Sequence, residues 1–318
     1  MQTFAEERFQ KGILAAPDRI LVATDLTDGD YLLPQVIAQA KASNAHVTLV
    51  HAIVPVNLLP IEAGAISYAD QEKIDEEVQL ILLGHAAKIQ SEGITCDVVA
   101  QHGFAADVVQ EQIRATKANR LIMGTHGRNK LAQFALGSVA NELLRNINIP
   151  TLVLGPHAHG GGGHSLPQRV LHPISLLGDY KGAVGFAMDL AQAYHAELTL
   201  LHVLAPDAVE AINPERTFAR AHNALSALAP NGEDLVPPIY TRVACGNLVE
   251  EILKVASEIK ADWIVLGVDP AFPFWPFRDS TAYKTIAAAT CPVLTIRHEH
   301  SRAELEIGEG KILAGVVE

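Results

Sequence analysis

The sequence predicts an α/β protein made of two tandem copies of one unit, each a five-stranded parallel sheet with helices on both faces. Three observations carry this reading. Short apolar runs alternate with segments of helical spacing, the same order of patterns occurs twice in 318 residues, and four consecutive glycines, Gly160 to Gly163, stand between the copies. Apolar strands separated by helical segments indicate parallel pairing, because a parallel neighbour needs a crossover and the usual crossover is a helix. The length also fits two domains at about 150 residues each.

The first copy opens on Arg19-Ile20-Leu21-Val22-Ala23-Thr24-Asp25, an apolar run stopped by polar residues. Its counterpart is Arg169-Val170-Leu171-His172-Pro173-Ile174-Ser175, where Pro173 weakens the strand. Helical spacing follows at Leu32, Val36, Ile37 and Ala40, and at Val184, Ala187, Met188 and Ala191. Second strands match as His46 to His51 and Glu197 to His202, and weaker third strands as Thr95 to Ala100 and Ile239 to Ala244. Between the second and third strands of the first copy, residues 61–92 carry a helical stripe of Ile74, Val78, Ile81, Leu82 and Ile89, expected to face the core. Gly103 and Gly246 each precede an amphipathic helix, and fourth strands follow at Arg120 to Gly124 and Trp263 to Gly267. Gly103 and Gly124 have the same separation as Gly246 and Gly267, which chance similarity rarely reproduces. Each copy closes on a fifth strand, Ile149 to Leu154 or Cys291 to Ile296.

These boundaries give a first domain over 1–155, a Gly/His-rich linker over 156–167, a second domain over 168–298 and a tail over 299–318. The linker histidines His157, His159 and His164 are potential transition-metal ligands, but a glycine-rich frame preorganises them poorly and no metal site is expected there. The tail ends in a short apolar stretch, Lys311 to Glu318, that can add a strand to a neighbour or fray.

Composition excludes several functions. Hydrophobic residues make up 49% of the chain, enough for real cores, and 36 acidic against 24 basic side chains give a net charge of −12. That balance disfavours a nucleic-acid binder, whose affinity rests on basic side chains displacing counterions. No apolar run is long enough to span a membrane and the N-terminus lacks a secretory pattern, so a soluble, cytoplasmic protein is expected. Three cysteines, Cys96, Cys245 and Cys291, without a C-x-x-C pair, do not form a disulfide framework.

Chemistry concentrates after the fourth strand of the first copy, in Gly124-Thr125-His126-Gly127 followed by nine residues and Gly137-Ser138. Gly124 and Gly127 allow backbone amides to close around an anion, with Arg128 and Lys130 adding charge nearby. Ser138 stands where a helix begins, since Val139, Ala140, Leu143, Leu144 and Ile147 form a helical stripe. A capping hydroxyl and free amides at a positive helix end make a phosphate site. Taken singly, the glycines read equally as turn residues and the serine as an ordinary cap. The spacing is not that of a Walker A loop.

This G-x2-G-x9-G-S element resembles the ATP-binding signature of the universal stress protein family in its tandem form, and the resemblance covers about residues 18–155 and 168–298. It implies two Rossmann-like domains of the adenine nucleotide α-hydrolase type, packed as a pseudo-symmetric pair through their last strands. It further implies that Gly124, Gly127, Gly137 and Ser138 hold a triphosphate, with His126, Arg128 and Val139 lining the same loop and helix start. Asp25, beside Thr24, should contact the ribose and adenine edge, and Ala52 and Met123 should border the adenine. For Asp25 a strand-end or turn-forming role stands beside that reading. ATP with Mg or Mn is the expected ligand, in a regulator of stress response. A regulatory protein partner and a homodimer are compatible with it.

The second copy keeps the register and loses the chemistry: Pro270 replaces the second glycine, Ser280 the third, and Ser175 stands at the place of Asp25. This half is not expected to bind ATP in the same way. The segment Phe272-Pro273-Phe274-Trp275-Pro276-Phe277 reads as a loop folded over its own domain, or as a plug or partner contact. His51 and His202 read as structural or pocket-lining. Catalysis is limited to slow ATP hydrolysis at most, since no base can be named. Two alternatives stand: an interaction scaffold without nucleotide, and an enzyme cleaving ATP between its α and β phosphates.

Overall fold

The computed structural model describes residues 15–54, 68–125, 136–158, 166–176, 181–207, 213–229, 237–268 and 280–297. The first copy runs β1 (Arg19–Ala23), α1 (Gly29–Ser43), β2 (His46–Ile53), α2 (Tyr68–Gln90), β3 (Cys96–His102), α3 (Ala105–Thr116), β4 (Arg120–Gly124), α4 (Ser138–Asn146) and β5 (Thr151–Leu154). The second repeats it as β6 (Arg169–Pro173), α5 (Lys181–Tyr194), β7 (Glu197–Leu204), α6 (Pro214–Ser226), β8 (Ile239–Cys245), α7 (Leu248–Glu258), β9 (Trp263–Val268), α8 (Thr281–Ala288) and β10 (Val293–Arg297). Pro173 takes the last position of β6, and the pairing of β6 with β9 ends at Leu171, whereas β1 pairs with β4 as far as Ala23.

All ten strands form one sheet in the order β3-β2-β1-β4-β5-β10-β9-β6-β7-β8. Pairing is parallel within each copy. The copies meet antiparallel at β5 and β10, with Thr151 opposite Thr295, Leu152 opposite Leu294 and Val153 opposite Val293. Leu152 and Leu294 occupy equivalent places in the two copies, so a pseudo-twofold axis passes through that pair.

Side chains alternate across the sheet and build two apolar layers that run through both copies. Ile20, Val22, Ile122, Leu152, Val170, Leu198, Val265 and Leu294 pack on one side with α1, α2, α5 and α6. Leu21, Met123, Val153, Leu171, Ile264 and Val293 pack on the other with α3, α4, α7 and α8. The stripe expected to face the core in α2 does so at Val78, Leu82 and Ile89. Ile74 does not: it is 37% exposed.

The duplication extends to local bonding. Asn119 accepts from the Arg19 amide at 3.1 Å, and Asp262, its counterpart, accepts from the Arg169 amide at 2.8 Å. His51 Nδ1 lies 2.8 Å from the Thr24 carbonyl and His202 Nδ1 lies 2.9 Å from that of Ile174. Lys117 and Lys260 turn the chain after α3 and α7 at φ of 55° and 52°. One charge is sealed in the core: Arg120 is fully buried, donating from Nη1 to Gln39 Oε1 at 3.0 Å and from Nη2 to the Ala15 carbonyl at 2.9 Å. Burial pushes its guanidinium pKa down and that of the nearby Tyr194 phenol of α5 up, and each group partly offsets the effect on the other.

Candidate functional site

In doubly wound sheets ligands bind outside the carboxyl ends of the strands, where successive connections leave to opposite faces. Neighbouring strands β1 and β4 meet that condition, since β1 leads to α1 on one face and β4 to α4 on the other. The loop after β1 is held by a compact network. Thr24 Oγ1 donates a short hydrogen bond to Asp28 Oδ1 and accepts from the Leu26 amide at 3.0 Å. Asp25 Oδ1 accepts from both the amide and the hydroxyl of Thr27, each at 2.8 Å. These bonds keep Leu26 at φ 74°, a left-handed conformation uncommon for a branched side chain. Asp25 Oδ2 is left buried without a hydrogen-bond partner.

Strand β2 contributes His51 and Ala52. Because the Thr24 carbonyl can only accept, His51 Nδ1 carries the hydrogen, and in the neutral ring Nε2 remains an acceptor. At the end of β4, a Cβ on Gly124 would lie 2.7 Å from the Tyr31 hydroxyl and 3.4 Å from Asp28 Oδ2. Only a glycine lets those polar groups close on the strand end.

Helix α4 starts at Ser138, and Gly137 is its N-cap residue, with no side chain capping this end and no acidic residue in the first turn. The expectation that the Ser138 hydroxyl caps the helix is therefore corrected. Ser138 is already the first helical residue, and the cap position one residue earlier has no side chain to offer. The Gly137 amide donates to the Thr125 carbonyl at 3.0 Å, and a Cβ there would lie 3.2 Å from the same oxygen. The first amides of a helix have no intrahelical partners and carry partial positive charge, so an uncapped end is a ready anion site. At the equivalent end of α8, Ser280 fills the cap position and its hydroxyl accepts from the Tyr283 amide at 3.1 Å.

Of the residues singled out from sequence, Thr24, Asp25, Ala52, Met123, Gly124, Gly137, Ser138 and Val139 line one cleft of about 280 Å³. His126, Gly127 and Arg128 lie outside the described residues, as do Pro270, the aromatic segment 272–277 and the tail. Sequence reasoning missed Asp28, which also lines the cleft and is only 2% exposed. Burial pushes its carboxyl from 3.8 up to about 6, the Asp25 charge adds to the rise, and the bond from Thr24 opposes it. The same burial, with the charges of Asp28 and Asp25, pushes the Tyr31 phenol up. Asp28 precedes a run of helical spacing and so reads in sequence as a helix cap. It does occupy that position, but its side chain turns to Thr24 and caps nothing.

Among the described residues no group of three or more His, Cys, Asp or Glu could hold a metal ion, and no helix is long and apolar enough to cross a membrane. The cleft therefore offers a carboxylate acceptor and an apolar wall at the β1 and β2 ends, and uncapped amides at the α4 end. It suits a ligand with hydroxyl or amine donors at one end and an anionic group at the other.

Two doubly wound units joined edge to edge, each with its switch point after the first and fourth strands, define a tandem protein of the Rossmann-like adenine nucleotide α-hydrolase fold. The profile of the universal stress protein family matches residues 17–155 and again 167–297. The chain belongs to the universal stress protein family. It is similar in fold to a universal stress protein from Archaeoglobus fulgidus DSM 4304, with a TM-score of 0.67 and 19% identity, covering 89% of this chain and 99% of that one. It is also similar to a putative universal stress protein from Pseudomonas aeruginosa UCBPP-PA14, with a TM-score of 0.60 and 16% identity over 89% and 94% of the two chains. A functionally unknown protein from Pseudomonas aeruginosa PAO1 gives 0.58 and 16% over 93% and 98%. Comparison with curated protein sequences returns no match.

Proposed function

We propose that the first domain binds ATP, with Mg or Mn carried on its phosphates, and that occupancy of this site regulates a response to stress through a protein partner. The observation that carries the reading is the bare N-terminus of α4 at Gly137, in the same cleft that Asp25, with its unpartnered Oδ2, also lines. In this reading Asp25 takes a ribose hydroxyl, with Thr24 holding the loop in shape. Ala52 and Met123 border the adenine. The amides around Gly124, Gly137, Ser138 and Val139 receive the phosphates, and His126, Gly127 and Arg128 complete that loop. A bound ATP would bring its cation with it, since the described side chains form no metal cluster of their own.

The second domain, with Ser280 capping its own helix and Ser175 at the place of Asp25, does not bind ATP in this manner. The units of function are then 1–155 and 168–298, joined by 156–167.

Calorimetric titration with Mg-ATP tests the reading, comparing wild type with Gly137→Ser, which installs the cap of the second copy on the first. One site per chain is expected in the wild type, and affinity at least about tenfold lower in the variant, since one charge-assisted hydrogen bond is worth about 1.5–3 kcal/mol. No binding by the wild type, two equal sites, or an unaffected variant overturns it. Chromatography of the products separates slow release of ADP from cleavage to AMP and pyrophosphate.

A further inference from the structure

The second copy grips the nucleotide helix of the first at both ends. At the N-terminal end, the Tyr283 hydroxyl of α8 accepts from the Leu136 amide at 3.2 Å, immediately before Gly137 and Ser138. Leu136 is 3% exposed and Tyr283 8% exposed, so this bond is shielded from water. At the C-terminal end, Arg297 on β10 donates from Nη2 to the Leu144 carbonyl at 3.1 Å and from Nη1 to Asn148 Oδ1 at 3.4 Å. A cation on the last carbonyls of a helix is the favourable sign for its dipole.

The pseudo-twofold axis supplies an internal control. Under true twofold symmetry each contact would occur twice, once in each direction. Counted from the helix starts, Tyr283 corresponds to Ala140, which has no hydroxyl to return. By register of the last strands Arg297 corresponds to Gly155, which has no side chain and lies against the Ile286 carbonyl, where a Cβ would come within 2.2 Å. Both polar ties therefore run one way, from the second copy to the first. The loss of chemistry in the second copy feeds this arrangement: Ser280, in place of the third glycine, bonds the Tyr283 amide and fixes the start of α8.

We propose that the second domain is a built-in support for the nucleotide site, in which Tyr283 and Arg297 are positioning residues that hold α4 and its leading amides in register with the ligand phosphates. The proposal rests on the ATP-site reading above. Tyr283 acts through Leu136 on the adjoining helix start, and Arg297 fixes the far end, so neither touches the nucleotide.

The test uses the full chain as wild type, Tyr283→Phe and Arg297→Gln, titrated with Mg-ATP and with adenosine, alongside thermal melting without ligand. Tyr283→Phe is expected to weaken ATP about fivefold, the equivalent of one neutral hydrogen bond of about 1 kcal/mol, and to leave adenosine unchanged because its contacts lie at the ends of β1, β2 and β4 and not at the start of α4. Amide exchange at Leu136 to Val139 should quicken in the same variant. Arg297→Gln should also lower ATP affinity selectively. A wild type that binds ATP while both variants bind it equally well overturns the support role alone. Equal losses for ATP and adenosine, tracking the melting temperature, overturn it as well, because general destabilisation would then suffice. A wild type that binds no ATP overturns the site reading and this proposal with it.

Discussion

Replacing Asp28 by Asn isolates the cost of a buried carboxylate in the cleft. Asp28 is 2% exposed, and its carboxyl titrates at about 6 in the fold against an ordinary value of 3.8. The folded protein thus holds this proton more tightly than the unfolded chain. Its contribution to stability is complete below about pH 3.8 and is lost as pH rises through about 6, because over that range the folded state binds more protons than the unfolded chain and raising the pH favours unfolding. At about 1.4 kcal/mol per pH unit, the displacement corresponds to about 3 kcal/mol. Asn has nearly the same shape, keeps an oxygen to accept from Thr24, and cannot ionise. Urea unfolding of nucleotide-free wild type and Asp28→Asn, run from about pH 4 to about pH 7.5, should show the wild type losing most of that 3 kcal/mol relative to the variant. Subtracting the two curves removes the titrating groups that do not sense the Asp28 charge. A difference that stays flat across the range would refute the argument that burial dominates this carboxyl.

Two further outcomes are expected. Gly155→Ala should destabilise the chain by about 2 kcal/mol or more in denaturant unfolding, because the Cβ would enter within 2.2 Å of the Ile286 carbonyl and backbone must yield. Unchanged stability would mean that the seam is loosely packed. Burial raises the thiols of Cys96 and Cys291 to about 12, whereas Cys245 is partly exposed. Maleimide near pH 7 should therefore label Cys245 in the native protein and all three only after unfolding, and rapid native labelling of Cys96 or Cys291 would contradict their burial.

The ten strands were legible because each is an apolar run between turn residues, and the two copies reinforced one another wherever a single run was weak, as at Ile239–Cys245. The cleft was legible to the extent that its residues follow strands: Thr24, Asp25, Ala52, Met123 and Gly124 all sit at carboxyl ends. The helix start at Ser138 was read correctly but its cap was misplaced by one position, since Gly137 and Ser138 both suit a cap in sequence and only the backbone at φ −58° and ψ 156° on Gly137 decides between them. Asp28 escaped notice because its type and place fit a routine capping role. Tyr283 left no local sign of its task, because a bond to an amide 147 positions away depends on how the copies meet. Nor does periodicity reveal that β5 and β10 would join as neighbours, as any exposed strand edge offers the same unpaired groups.

The antiparallel join of β5 to β10 has a consequence for evolution as well as for assembly. In two separate molecules such a union would dissolve on dilution, and a change harming one half would harm its identical partner. Tethered in one polypeptide, the halves meet at an effective concentration set by the connection, about millimolar for short flexible ones, whatever the abundance of the protein. Each half is also free to change independently, provided its edge and flank still fit the other.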